Sequence, residues 1–151
     1  NKTHTDALTN EKEISFAGAQ KDIQSAINFV AQRSSQPILL LGSSFSASLA
    51  LIEATNNFKI KGVVAFSPRE LSESEMDVKE LTHNIFVPVL ALGTKMEFDD
   101  MAKLLSHVQK RHLSLFKPSQ GEGSHGATSL WESNPNHKEY WMVLTQFFSR
   151  L

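Results

Sequence analysis

The run Gly42-Ser43-Ser44-Phe45-Ser46 carries the residue types of a nucleophilic site. An apolar stretch, Leu39-Leu40-Leu41, leads into it, and Ala47-Ser48-Leu49-Ala50 leads out. Gly-x-Ser-x-Ser between a strand and a helix suits a nucleophile elbow, a strained turn that pushes the central hydroxyl out at the carboxyl end of a sheet. Residues two before and two after that serine must be small, because strand and helix nearly touch there. Gly42 and Ser46 meet the need, which makes Ser44 the candidate nucleophile. The helix start supplies backbone N–H groups, that of Phe45 first, and a dipole suited to a developing oxyanion. Serines also cap helices, so the pattern takes its weight from its position at the junction.

A serine hydroxyl is a weak nucleophile until a base accepts its proton. Of six histidines, His125 lies in Gly121-Glu122-Gly123-Ser124-His125-Gly126, after the last apolar run and before the final amphipathic one. Glycines on both sides let such a loop carry an imidazole over the sheet edge. His4, His83, His107, His112 and His137 fall in helical or polar stretches and read as surface residues. An acid that orients the imidazole should follow a strand lying between serine and histidine. The segment Gly93 to Asp100 offers Glu97 first, then Asp99 and Asp100, while Glu70 after the preceding strand is an outside candidate. Carboxylates also gather at helix starts for dipole reasons, so all four stay open.

These residues need a scaffold, and the rest of the chain describes one. Short apolar runs at Pro37–Leu41, Gly62–Phe66, Val87–Leu92 and Leu113–Phe116 read as buried strands. Between them lie amphipathic stretches. Ala19, Ile23, Ala26, Ile27 and Val30 form one, with Ser15 as N-cap. Met101, Leu104, Leu105 and Val108 form another. Tyr140, Val143, Leu144, Phe147, Phe148 and Leu151 form a C-terminal helix that must dock. Ser46 to Thr55 is apolar nearly all round and predicts a deeply buried helix. The polar stretch Arg69–Glu80 reads as a surface excursion with a helical turn, and Asn1–Ile14 as a loop. Alternation of this kind predicts an α/β fold with a doubly wound, mostly parallel sheet.

Composition removes several classes of function. The 151 residues include 40% hydrophobic residues, enough for a core and too many for wholesale disorder. Fifteen basic residues against 16 acidic ones give no electrostatic case for nucleic-acid binding. No apolar run approaches the ~20 residues of a membrane-spanning helix. Zero cysteines exclude thiol catalysis and disulfide scaffolds but do not fix the compartment.

Gly42 to Leu49 resembles the Gly-Ser-Ser-(Tyr/Phe)-Ser-Ala-Ser-Leu elbow of a group of small bacterial hydrolases. These form part of the dienelactone-hydrolase-like branch of the α/β-hydrolase superfamily. Ala65-Phe66-Ser67-Pro68 looks like the strand-end motif that follows, and Lys95-Met96-Glu97 like its Lys-x-Glu segment. Gly123-Ser124-His125-Gly126 with Leu130-Trp131 resembles the histidine loop, and Asn1–Thr3 with Ala17–Ile27 the segment before the elbow. The order Ser44, Glu97, His125 is the one expected of that superfamily. The sequence departs from it in placing Met96 where many relatives have Asp, and Ser46 where glycine is commoner.

The resemblance implies a serine hydrolase cleaving a carboxylic ester or related acyl bond of a small molecule, with no metal or organic cofactor. Ser43 and Trp131 are candidate substrate-binding residues, and Phe45 contributes a backbone N–H. Alternatives are a catalytically inactive binding or interaction domain of the same fold, or a peptidase. The resemblance also implies several strands ahead of the elbow, whereas residues 1–43 hold one strand run and no His-Gly-Gly-type loop. Residues 1–151 are therefore expected to form one α/β-hydrolase domain that is incomplete at its N-terminus. The start at Asn1, without a signal-peptide pattern, agrees with that expectation. An unpaired edge on the Pro37–Leu41 strand would invite association, homo-oligomers included.

Overall fold

The structure, a computed structural model, describes Thr9 and residues 15–71 and 76–151. Helix α1 (Phe16–Arg33) starts where Ser15 Oγ accepts the Gly18 N–H at 3.1 Å, so the expected N-cap satisfies an otherwise orphaned donor. Strand β1 (Ile38–Ser43) runs directly into α2 (Phe45–Ala54), and β2 (Ile60–Phe66) follows. A short helical turn, α3 (Val78–Leu81), lies within the polar excursion. Then come β3 (Val89–Leu92), α4 (Phe98–Leu104), β4 (Leu113–Phe116), a 3-10 turn at Gly126–Leu130, and α5 (His137–Phe148). The loop expected over residues 1–14 lies, Thr9 apart, outside the described residues, as do residues 72–75. Among the described residues no helix is long and apolar enough to cross a membrane.

The four strands form one parallel sheet in the order β1-β2-β3-β4. Parallel strands require crossovers, and the helices that provide them cover the sheet. On one face Ile38, Leu40, Val63, Ala65, Val89 and Ala91 pack against α1, α2 and α4. On the other, Val64, Phe66, Leu90 and Leu92 meet Tyr140, Leu144 and Phe147 of α5. Phe148 and Leu151, read from the sequence as part of that docking helix, are about half exposed, and Leu151 lies beyond the end of α5.

Helix α2 is buried from Ala47 to Ala54, as its all-round apolar composition predicts. Leu49 and Leu51 are completely enclosed, each contributing about 1.5–3 kcal/mol of burial. Its one charged residue, Glu53, is buried too and accepts from Gln20 Nε2 at 2.7 Å and Gln24 Nε2 at 3.0 Å. Those bonds compensate the carboxylate for lost water and tie α1 to the helix behind the elbow.

Strand β1 is different, because no further strand pairs with its outer edge among the described residues. Leu39 and Leu41 point to the α5 face but remain 42% and 54% exposed. An edge without a strand partner among the described residues is a template for pairing with another chain.

Candidate active site

The turn between β1 and α2 is Ser44 alone. Its φ of 57° and ψ of −127° lie where a residue bearing a Cβ is rarely found. Four hydrogen bonds hold it there. Ser44 N–H donates to the Phe66 carbonyl at 2.8 Å, and its own carbonyl accepts the Ala47 N–H at 2.9 Å. Ser46 Oγ donates to the Ser43 carbonyl at 2.8 Å and accepts the Ser43 N–H at 3.1 Å. A Cβ added to Gly42 would fall 2.6 Å from Ala47 Cα and closer still to the Ser46 carbonyl oxygen. Strand and helix therefore meet at a distance only glycine permits. The Ser44 hydroxyl makes no capping hydrogen bond; backbone duty falls to Ser46. Phe45 is the first helical residue, where helical geometry leaves the N–H without an intrahelical acceptor.

The histidine loop reaches this turn through backbone contacts. Ala127 N–H donates to Ser43 Oγ at 2.9 Å. Gly126, at φ 66°, brings its backbone so near that a Cβ there would meet Ser43 Oγ at 2.5 Å. His125 is thus pinned beside the residue preceding Ser44, though among the described residues no hydrogen bond joins Ser44 to the imidazole.

His125 Nδ1–H donates to Glu97 Oε1 at 2.5 Å. Glu97 Oε2 accepts from Ser67 Oγ at 2.7 Å and from the Thr94 N–H at 2.9 Å. Partial burial pushes the Glu97 carboxyl up. The hydrogen bonds from His125, Thr94 and Ser67, with the electrostatic attraction of the His125 ring, outweigh it and hold the group below its ordinary value. Such a carboxylate stays ionised and fixes the ring, leaving Nε2 as the nitrogen free to accept a proton.

The other carboxylate candidates lie elsewhere. Asp99 and Asp100 sit in the first turn of α4, with Asp100 facing Lys103 at 3.4 Å across an exposed surface. Glu70 closes the start of α3, accepting the Val78 and Lys79 N–H groups at 2.8 and 3.0 Å. Ser43 spends its hydroxyl on the histidine loop, and Trp131, 63% exposed, borders a polar hollow with Glu122 and Ser124. A separate cleft of about 580 Å³ opens beside His125 and Glu97, between Pro68, Arg69 and Met101, Leu104. Ser44 is not among the residues lining it. Sequence reasoning missed Ser67 and Thr94 as site residues. The available signal was a serine ending the apolar run of β2 and a threonine one residue beyond Gly93.

No protein-family model and no curated protein sequence matches the chain. Solved structures do. The esterase domain of a Rhodothermus marinus protein superposes with a TM-score of 0.67 at 15% identity, over 87% of this chain and 68% of its own. A Pyrococcus furiosus esterase gives 0.65 at 16% identity, over 85% and 60%. A Klebsiella pneumoniae protein named as a dienelactone hydrolase gives 0.69 at 14% identity, over 92% and 63%. The chain has the α/β-hydrolase fold. It spans 60–68% of the length of these three proteins. Within this α/β-hydrolase sheet the candidate nucleophile follows β1, the candidate acid β3 and the candidate base β4. All three therefore stand at the carboxyl ends of parallel strands, where ligands bind in open α/β sheets.

Proposed function

We propose that this chain carries the catalytic centre of a serine hydrolase acting on carboxylic esters or related acyl bonds of small molecules. The observation that supports it most is the hydrogen bond from His125 Nδ1 to Glu97 Oε1, on a loop pinned to Ser43 beside the strained Ser44. In this reading His125 Nε2 takes the Ser44 proton as Oγ attacks the acyl carbon. The Phe45 N–H donates to the oxyanion. The protonated imidazole then gives its proton to the departing alcohol, leaving an acyl-Ser44 ester. A water molecule, deprotonated by His125, releases the acid and restores the serine. Glu97 orients the ring throughout, and the cleft beside His125 holds one arm of the ester. Ser43 acts on substrate only through the loop it fixes. The reading concerns the complete catalytic unit, in which further chain lies along β1 and supplies the second oxyanion donor.

A fluorophosphonate probe tests the assignment, since it bonds covalently to an activated serine. One label per chain is expected, with none in Ser44→Ala. Label persisting in that variant removes Ser44 from the role. The exposed edge of β1 favours a second reading, an interaction domain without hydrolysis. Absence of both labelling and turnover of simple chromogenic esters, in this chain and in a longer parent, would select it.

A further inference from the structure

Ser67 immediately follows β2, is buried, and adopts φ 50°. A glycine would occupy that conformation without strain, so a side chain there needs a reason. Its backbone N–H continues the ladder to Leu92 of β3 at 2.6 Å, which fixes the direction of the Cβ. Its Oγ donates to Glu97 Oε2 at 2.7 Å and accepts the Gly126 N–H at 2.9 Å. One hydroxyl thereby joins the residue that holds the imidazole to the residue that follows it in the loop.

We propose that Ser67 is the positioning residue of this site, setting both the place of His125 and the direction in which its hydrogen bonds run. The proposal rests on the hydrolase reading for its effect on turnover, but its structural content does not. A backbone N–H can only donate, so Gly126 makes Ser67 Oγ an acceptor. The single hydroxyl proton is then left for Glu97, whose Oε2 must accept. Thr94 N–H donates to the same oxygen, so neither bond tolerates a proton on Oε2. With Oε2 so engaged and the carboxyl held ionised, Oε1 accepts His125 Nδ1–H, and the ring is committed to the tautomer whose Nε2 lone pair points away from the acid. Direction thus passes from a backbone amide through Ser67 and Glu97 to the base. The charged and titratable neighbours Arg69, Glu70, Lys79, Asp100 and Lys103 line the adjoining cleft, yet none of them makes a hydrogen bond to this chain of groups among the described residues.

The test compares Ser67→Gly, Ser67→Ala and Ser67→Cys in the full chain. Glycine removes the hydroxyl while relieving the backbone, so its thermal midpoint should stay near that of the parent. Proton NMR without substrate should show a far-downfield Nδ1 resonance, assigned by its loss in His125→Gln. That resonance should vanish or move upfield in Ser67→Gly and Ser67→Ala, and persist in part in Ser67→Cys, which keeps a weak donor and acceptor. In any esterase assay that works, kcat should fall about 10- to 100-fold with KM nearly unchanged, as for other groups that orient a reacting side chain. Folded Ser67→Gly or Ser67→Ala protein with an unaltered resonance overturns the proposal. So does a parent protein that lacks the resonance. Loss of the resonance in a chain that hydrolyses nothing would uphold the positioning role while removing the hydrolase reading.

Discussion

The two sides of the site are held by opposite means. On the nucleophile side, Ser44 is fixed through backbone, with Gly42 and Ala47 nearly touching and a helix buried from Ala47 to Ala54 behind the turn. On the histidine side, position comes from hydrogen bonds between groups 28, 30, 59 and 84 residues apart in the chain. Steric closure is rigid and resists alteration. A hydrogen-bonded loop can be weakened one bond at a time without unfolding the sheet. The contrast implies that substitutions of Gly42, where strand and helix touch, damage folding, whereas those around His125 chiefly damage activity.

The largest expected effect on the histidine side is that of Glu97→Gln. It keeps the shape but cannot enforce the imidazole tautomer, and kcat should fall about 10⁴-fold. The same variant carries a pH signature. Glu97 is held below the ordinary carboxylate value. It therefore contributes stability that is present above that value and lost as pH falls through its lowered one. Melts in acid should show the parent converging on Glu97→Gln. An unchanged gap between them would break the link between this carboxyl and the fold.

At the elbow, Gly42→Ala should cost about 3 kcal/mol or more in a denaturant melt, because the added methyl meets backbone that cannot move aside. A stable Gly42→Ala protein would mean that the close approach of β1 and α2 is not needed. The Tyr140 hydroxyl, buried and donating to the Gly93 carbonyl at 2.9 Å, braces the acid strand from behind. Burial, then the negative charges of Glu97 and Glu139, pushes it up to about 12 from its ordinary value of 10.0. Its contribution is complete below pH 10.0 and should decline as pH rises through about 12. Tyr140→Phe should lose about 1 kcal/mol near neutrality and show no such decline in alkaline melts.

The smallest effect should come from Ser43→Ala. It removes one acceptor from the histidine loop at a cost of about 1 kcal/mol, and should reduce turnover more than stability. If stability falls further than that, the loop is part of the fold rather than an attachment to it.

Local patterns were readable wherever a single segment decides its own conformation. Ser15 as a cap, the buried α2, the elbow at Ser44 and the four strand runs follow from spacing and side-chain size. Strand ends were not: β1 extends to Ser43 and β2 begins at Ile60, beyond their apolar runs, because parallel pairing continues for as long as a neighbour offers hydrogen bonds. The 3-10 turn at Gly126–Leu130 escaped notice for a similar reason. Its shape depends on Ser43 and Ser67, which are distant in sequence.

The residue types at the elbow and in the histidine loop were thus determined by the sequence itself, since each answers a local steric demand. The choice of Glu97 over Asp99, Asp100 and Glu70 as the histidine's partner belonged to tertiary structure. All four are carboxylates near helix starts, so the sequence could put Glu97 first by its place after β3 but could not exclude the other three. The end of β3 and the turn into α4 aim Glu97 at His125 and leave Asp99 and Asp100 exposed, while Glu70, which follows β2, caps α3. Ser67 belonged to tertiary structure for the same reason, because a hydroxyl joins two distant groups only after the sheet has brought them within 3 Å.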